Sequence, residues 1–550
     1  MSTYYVKNGG NDGNSGLSDL LAWATVQKVN TTGFSPGDSI LFKRGSLWRE
    51  TLDPQSSGTS GNPITLGAYD TGPNPVISGA DLVTGWTNYS GNIWQATLAN
   101  NDNDKYIFIN GTVGDKKTSI GALVNEYDHY WASNVMYLYA PSDPDTHYTN
   151  PGVEARIRQA AIYSNPCSYV VFDGLTAEKS WGPAFTSYFA TGYITVKNCI
   201  AQYANEGLNV SAARTGDEVH DSIFRYNQTS GIVMVNGPTN AKIYRNETYE
   251  NNTVITDVGG GGAGIKIFGD GVSGIEMYEN YIHEAGLSAI WVDYVHPASP
   301  ILIHHNYIKD TVGDGVFIEI SSDVHVYYNV MENSATDYPG EAGPWTIAGV
   351  NISGRETFLN ENNLIYNNTI YGANVGINVW MDGGTTTGRM NNNIVKNNIV
   401  LNSITRPFSA GHGGDNLTYG SGNTYQYNCF GVESSNFINW QRTGLLSTYD
   451  AWEAADGVIL DSGSTHSIEA DPLFTNAGAG DFTLQETSPC IDAGANLGAT
   501  YKYGVMHDSA WPAAVVLGDQ GAHGAGWEVG AYIYQSGSAW IIGALAVGGT

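Results

Sequence analysis

The chain has 550 residues, 41% hydrophobic and 12% aromatic, with 24 basic against 53 acidic side chains and a net charge of −29. A chain this apolar and this sparsely charged folds into a core, and its acidity argues against nucleic acid or an anionic membrane surface as partner, both of which reward clustered Lys and Arg. No run of about 18 apolar residues is present, so no helical membrane insertion is expected. Glycine, at 68 residues against 19 prolines, marks repeated tight turns rather than a linker.

In chain order, MSTYYVKNGG lacks a basic start followed by an apolar core, so no secretory leader is read there. Ser18 to Val29 has apolar residues at helical spacing after a Ser/Asp start, which predicts one helix covering the open end of a repeat. SPGDSILFKRG (35–45) and NPITLGAYDTG (62–72) read as irregular first coils, completing an N-terminal unit over 1–81. Residues 82–162, rich in Trp and Tyr, read as a β-rich side insertion.

From 163 to 405 a repeat dominates. Asn recurs before alternating aliphatics at 198, 246, 280, 306, 329, 368 and 398, and with Asp221 placed in the same frame the spacings are 23, 25, 34, 26, 23, 39 and 30. A base period of 23 to 26 suits one coil of a parallel β-helix, with successive coils about 4.8 Å apart. The Asn column is read as an internal amide ladder. About ten residues on, Gly or Ala opens strict alternation, as in G207-LNVS, G231-IVMV, G264-IKIF, A289-IWVD, G315-VFIE, G349-VNIS and G376-INVW. The inward columns are Leu208, Ile232, Ile265, Ile290, Val316, Val350, Ile377 and Val210, Met234, Ile267, Val292, Ile318, Ile352, Val379. Residues 406–534 are read as C-terminal coils and a closing region with a short helix at TYDAWEAADG, and 535–550 as a tail to which no role is assigned. Cys167, Cys199, Cys429 and Cys490 lack a CxxC spacing, which excludes a zinc site, and Cys199 is read as a buried free thiol at an inward aliphatic position.

These features together resemble the right-handed parallel β-helix (pectate-lyase-like) superfamily of polysaccharide-active proteins. The opening segments YYVKNGGNDGNSGLSD and SPGDSILFKRGSLW, the central ladder, and the closing IEADPLFTNAGAGDFTLQETSPCIDAGANLG with GWEVGAYIY carry the likeness. The resemblance implies an all-β right-handed solenoid with an N-terminal capping helix, and a secreted or surface location, with a phage-borne origin as the alternative. It leaves the reaction open, because this fold hosts hydrolases, lyases, epimerases and tailspikes.

Outward columns of the coil form a surface map. One runs Asn209, Val233, Lys266, Trp291, Phe317, Asn351, Asn378, and the next Ser211, Val235, Phe268, Asp293, Glu319, Ser353, Trp380. A third contains Asp270, Arg355 and Asp382. Asp293 and Glu319 are thereby neighbours one period apart, and mutual repulsion divides such a pair into a protonated and an ionised group. Backbones about 4.8 Å apart favour the closer carboxyl spacing of retaining glycosidases. Trp291, Phe317, Phe268 and Trp380 offer faces for sugar rings, Asn351 and Asn378 offer amides to hydroxyls, and Lys266, Arg355 and Asp382 complete the candidate substrate-binding set. Insertions at 256–262 and 337–345 bracket the pair as cleft walls. The pattern is similar to the family 120 β-xylosidases, and that likeness alone implies Asp293 as nucleophile and Glu319 as acid/base.

The resulting expectation is a retaining glycoside hydrolase of a neutral or weakly charged polysaccharide or oligosaccharide, requiring no cofactor. The alternatives are a calcium-assisted lyase of a uronate polymer, with Lys266 and Arg355 as its cations, and a non-catalytic carbohydrate-binding tailspike or adhesin. A further acidic column, Glu250, Glu284 and Asp310, is read as bend-capping, with calcium binding or a catalytic role as the alternative, and His283 and Lys309 beside it as solvent-facing.

Overall fold

The computed structural model describes residues 1–535 apart from 100–105, 165, 189–191, 254–260, 337–345, 356–358, 383–388, 413–419 and 441–442. Short strands stack in parallel register into three long sheets of thirteen, eleven and twelve described strands, wound as a right-handed parallel β-helix. The coil begins at Thr3–Val6, which pairs with Ser39–Lys43, and continues to Ile438–Trp440, beyond the span where the Asn rhythm is visible.

Both predicted inward columns are buried from Leu208 to Val379, and each residue is the register partner of the next in its column. The small residue ahead of each alternating run has a steric cause. A Cβ on Gly207 would lie 2.5 Å from the Gly231 carbonyl oxygen, and one on Gly315 2.5 Å from that of Gly349.

The amide ladder is real but shifted at its start. Asn246, Asn280, Asn306, Asn329, Asn368, Asn398 and Asn428 are fully buried, each accepting at Oδ1 from the backbone N–H and side-chain amide of the residue one coil earlier wherever that residue is an Asn. The remaining Nδ2 hydrogen reaches a carbonyl of the preceding coil, as from Asn306 to Met277 at 2.9 Å. At the first two coils Cys199 and Ser222 hold this position: the Cys199 N–H donates to Ser222 Oγ, and the Ser222 N–H to Asn246 Oδ1. Asn198 and Asp221 therefore sit one residue earlier, at the left-handed corner with φ of 53° and 50°. Cys199 is a buried free thiol, as are the other three, but it stands in the polar ladder and not in an aliphatic column.

The predicted cap helix is two pieces. Asp19–Leu21 forms a 3₁₀ turn capped by Ser18, and Val26–Asn30 an α-helix capped by Thr25. Asp12 interrupts them, its carboxylate taking the Ala24 and Thr25 N–H groups and the Thr25 hydroxyl, while Trp23 bridges to Val6. Val26 and Val29 still seal the end of the core.

Between Ala80 and Arg156 an antiparallel four-stranded sheet and a mixed five-stranded sheet enclose a separate core that includes Trp86, Ile107, Met136 and Leu138. Buried Glu154 ties this unit to the coil, at 2.7 Å from both Arg49 and Lys179. The segment from about 465 to 535 does not continue the coil, contrary to the reading of closing coils. It runs back outside the corner between the first two sheets, where Tyr328, Tyr366, Ile399 and Cys429 pack with Phe474, Phe482, Cys490, Val505 and Val529.

Candidate active site

The site lies on the outer face of the twelve-stranded sheet, over Glu206–Ser211, Ser230–Val235, Ala263–Phe268, Ser288–Asp293, Val316–Glu319, Ala348–Arg355 and Val375–Asp382. Period-two alternation forces every second side chain outward, and parallel register stacks them into columns. Lys266, Trp291, Phe317, Asn351 and Asn378 are successive partners, and so are Phe268, Asp293, Glu319, Ser353 and Trp380. Both main columns match their sequence reading.

The third column does not hold as written. Asp270 lies in the turn after the Ala263–Phe268 strand, whereas Arg355 and Asp382 are register partners at the far ends of theirs. The side chains of Arg355 and Asp382 lie outside the described residues. So do both proposed walls, apart from Gly261 and Gly262 of the first.

The two carboxylates face different partners. Lys266 Nζ lies 3.3 Å from Asp293 Oδ2 and 3.3 Å from the centroid of the Trp291 ring, and it reaches the Gly261 carbonyl at 3.4 Å. The Trp291 indole N–H donates to Glu319 Oε2 at 3.1 Å, and its ring stacks on Phe317 at 5.4 Å. Glu319 is the more buried acid, at 5% exposure. Burial pushes the Lys266 ammonium down from its ordinary value, against the pull of Asp293, Glu319 and Glu206.

Asn351 is not free to bind a hydroxyl. Its Nδ2 hydrogens go to Asp314 Oδ1 at 3.0 Å and the Thr346 carbonyl at 2.9 Å, and its Oδ1 accepts from Asn378 Nδ2 at 2.9 Å. Among the described residues Asn378 Oδ1 is buried without a hydrogen-bond partner. Trp380 covers Gly411, where any Cβ would meet its ring at 2.5 Å.

Two acids escaped the column reading. Asp314 is fully enclosed, and burial pushes its carboxyl up to about 7 despite hydrogen bonds from the Ala348 N–H and Asn351. Glu206 accepts from Asn209 Nδ2 at 2.7 Å and is likewise raised by burial. Both precede the Gly column by one residue, a position otherwise held by the uncharged Ser230, Ala263, Ser288, Ala348 and Val375. Acids in a row of uncharged residues were the available signal. Beside Lys266 a cavity of about 310 Å³ opens between Glu206, Ser230, Val233 and Phe268.

The competing acidic column is structural in its geometry. Glu250, Glu284 and Asp310 occupy left-handed corners with φ of 48°, 50° and 51°, and Asp310 accepts from Asn333. His283 does not face solvent as predicted but stacks against Tyr249 and Tyr281, while Lys309 pairs with Glu332. Among the described residues no group of three or more His, Cys, Asp or Glu side chains is placed to hold a metal ion.

A family model described as a right handed beta helix region matches residues 247–431. Among solved structures, the complex of XylC with xylose is 14% identical with a TM-score of 0.51, covering 78% of this chain and 75% of that one. A glycoside hydrolase structure is 12% identical at a TM-score of 0.50, covering 78% and 96%. Pectate lyase Pel9A is 13% identical at 0.40, covering 97% of each chain. No curated protein sequence matches the chain. The family model and the two structures with TM-scores of 0.51 and 0.50 support the fold described above, a right-handed parallel β-helix.

Proposed function

We propose that the protein is a retaining glycoside hydrolase acting on a neutral glycan outside the cell. The observation that carries this reading is the outward Asp293–Glu319 pair on adjacent coils, with a cation on one member and an indole N–H on the other. An ammonium against Asp293 favours its ionised form, as a nucleophile requires, while burial and a neighbouring carboxylate favour a proton on Glu319.

In the forward step the Asp293 carboxylate attacks the anomeric carbon as Glu319 protonates the departing glycosidic oxygen. Glu319, now ionised, takes a proton from water, which attacks the same carbon and releases Asp293 with net retention. Trp291 and Phe317, stacked beside the pair, provide an apolar face for the ring. The xylose-bound neighbour and the glycoside hydrolase neighbour support a sugar ligand for this fold.

The lowered Lys266 ammonium favours a second reading, a lyase in which Lys266 removes the proton alpha to a uronate carboxylate. That carboxylate would enter a site already holding Glu206, Asp293 and Glu319, and the one described cation there is engaged by Asp293. An elimination leaves an unsaturated product with a strong ultraviolet absorbance, and hydrolysis does not. Asp293→Asn and Glu319→Gln should each lower kcat by about 10²- to 10⁴-fold with the fold intact by circular dichroism. Azide should restore turnover to Glu319→Ala as a glycosyl azide of retained configuration and to Asp293→Ala as the inverted one. Full activity in either amide variant, or an unsaturated product, would overturn the assignment.

A further inference from the structure

The cavity beside the reacting pair contains a carboxylate that the chemistry above does not use. Val233 and the Phe268 ring give it apolar surface, Glu206 and Ser230 a polar wall, and Lys266 its boundary with Asp293. At about 310 Å³ it is at the small end of the roughly 300–1,000 Å³ range of ligand sites, the size for one sugar ring rather than a chain.

Glu206 is built into this wall. Its Oε2 is held by Asn209 Nδ2, and among the described residues no donor reaches its Oε1. Among the described residues Asn209 Oδ1 is itself buried without a partner, and the Asn209 amide is turned with its donor side to Glu206. Burial raises the Glu206 carboxyl, a cost that hydrogen bonds from a ligand would offset. Among the described residues the single cation lining the cavity is Lys266, already 3.3 Å from Asp293 Oδ2.

We propose that Glu206 is the specificity-determining residue of a subsite for one uncharged glycosyl residue, accepting hydrogen bonds from adjacent ring hydroxyls and repelling uronates. The proposal rests on the hydrolase reading for its place in the reaction, but binding is measured separately from turnover. Two hydroxyls of a ring diol donate to a carboxylate in the manner that makes charge-assisted bonds strong. A uronate carboxylate in the same place would lose its hydration and meet Glu206 with no uncommitted cation to pair it.

Calorimetric titration of the protein and of Asp293→Asn with glucose, galactose, xylose and glucuronate tests this directly. At least one neutral sugar should bind, with glucuronate at least about 10-fold weaker. Glu206→Gln should weaken the neutral sugar by about 10- to 100-fold, the loss of hydrogen bonds to a charged group. The same variant should raise KM for the matching aryl glycoside with kcat changed less than about 3-fold, and should narrow the gap to glucuronate. Glu206→Asp, one methylene shorter, gives the second variant should Glu206→Gln not fold, and it should fall between the two. Equal binding of glucuronate and the neutral sugars, no binding of any neutral sugar, or unchanged affinity in both variants overturns the proposal. Because Asp293→Asn reports binding without turnover, a failed hydrolase reading would show as bound sugar with no cleavage.

Discussion

Lys266 concentrates the chemistry of the site, because one ammonium touches Asp293, lies over Trp291 and borders the Glu206 cavity. Its removal is felt first by Asp293, whose ionised form it favours. Lys266→Gln should therefore move the acid limb of the kcat/KM profile to higher pH by about one unit, since a nucleophile with a raised pKa is protonated sooner as pH falls. On the acid side of that limb the shift corresponds to a loss of roughly 10-fold, recovered at higher pH. A pH-independent loss would instead show that Lys266 acts on substrate. At this scale the sequence exposed Asp293, Glu319, Lys266 and Trp291, because alternation and a single period suffice to place them in two columns. Glu206 and Asp314 were hidden, since they stand beside the glycine where the alternation begins. The hydrogen bonds that remove Asn351 from the ligand-binding set run through Asp314 and were hidden with it.

Elements in this fold differ in what they tolerate, and the corner between the first two sheets shows the contrast. Asn306 and Asn198 look alike in sequence, each following a short strand and preceding another. Asn306 joins Asn280, Asn329 and the Met277 carbonyl inside the wall, whereas Asn198 sits exposed at a left-handed corner and donates to Asp173. Asn306→Ala should cost roughly 2 to 4 kcal/mol by leaving buried donors and acceptors unmet, and Asn198→Ala less than about 1 kcal/mol. Chemical denaturation of the two variants measures the difference, and equal losses would refute the ladder as a stabilising element. The central coils were legible because their repeat is one of side-chain type. The cap helix was misjudged because Asp12, distant from Ala24 and Thr25 in sequence, captures the very N–H groups that a continuous helix would use. The C-terminal arm was misread because its contacts with the corner are irregular and carry no period.

For the molecule as a whole, buried ionisable groups set opposing responses to pH. Glu528 in the arm is 1% exposed, and burial pushes its carboxyl up to about 8. The native state thus holds a proton that the unfolded chain releases above the ordinary carboxylate range, so this contribution to stability is lost as pH rises toward 8 and beyond. Asp314, raised to about 7, acts in the same sense. His305 acts oppositely: burial and His304 push it down to about 3, so stability falls as pH drops below about 6.5, where the unfolded imidazole gains its proton. Glu528→Gln should flatten the alkaline side of the stability profile and stabilise the protein by roughly 2 to 4 kcal/mol above pH 8. Thermal unfolding across pH measures this, and parallel curves for variant and parent would exclude Glu528 as the titrating group.

The C-terminal arm grips the corner at several coils in succession. The Tyr503 carbonyl lies 2.8 Å from His305 Nε2, the Tyr501 carbonyl accepts from the Tyr328 hydroxyl, Glu528 and Gly530 carbonyls accept from Asn367, and Ala495 exchanges two hydrogen bonds with Asn397. A stack of coils held only by nearest neighbours frays from its ends one layer at a time. A splint pinned at four consecutive layers makes the loss of any one of them strain its attachment to the others. The coils that carry Glu319 and Asn378 should therefore melt with the arm as one cooperative block, so that the register of the candidate site depends on a segment bound at another corner of the coil.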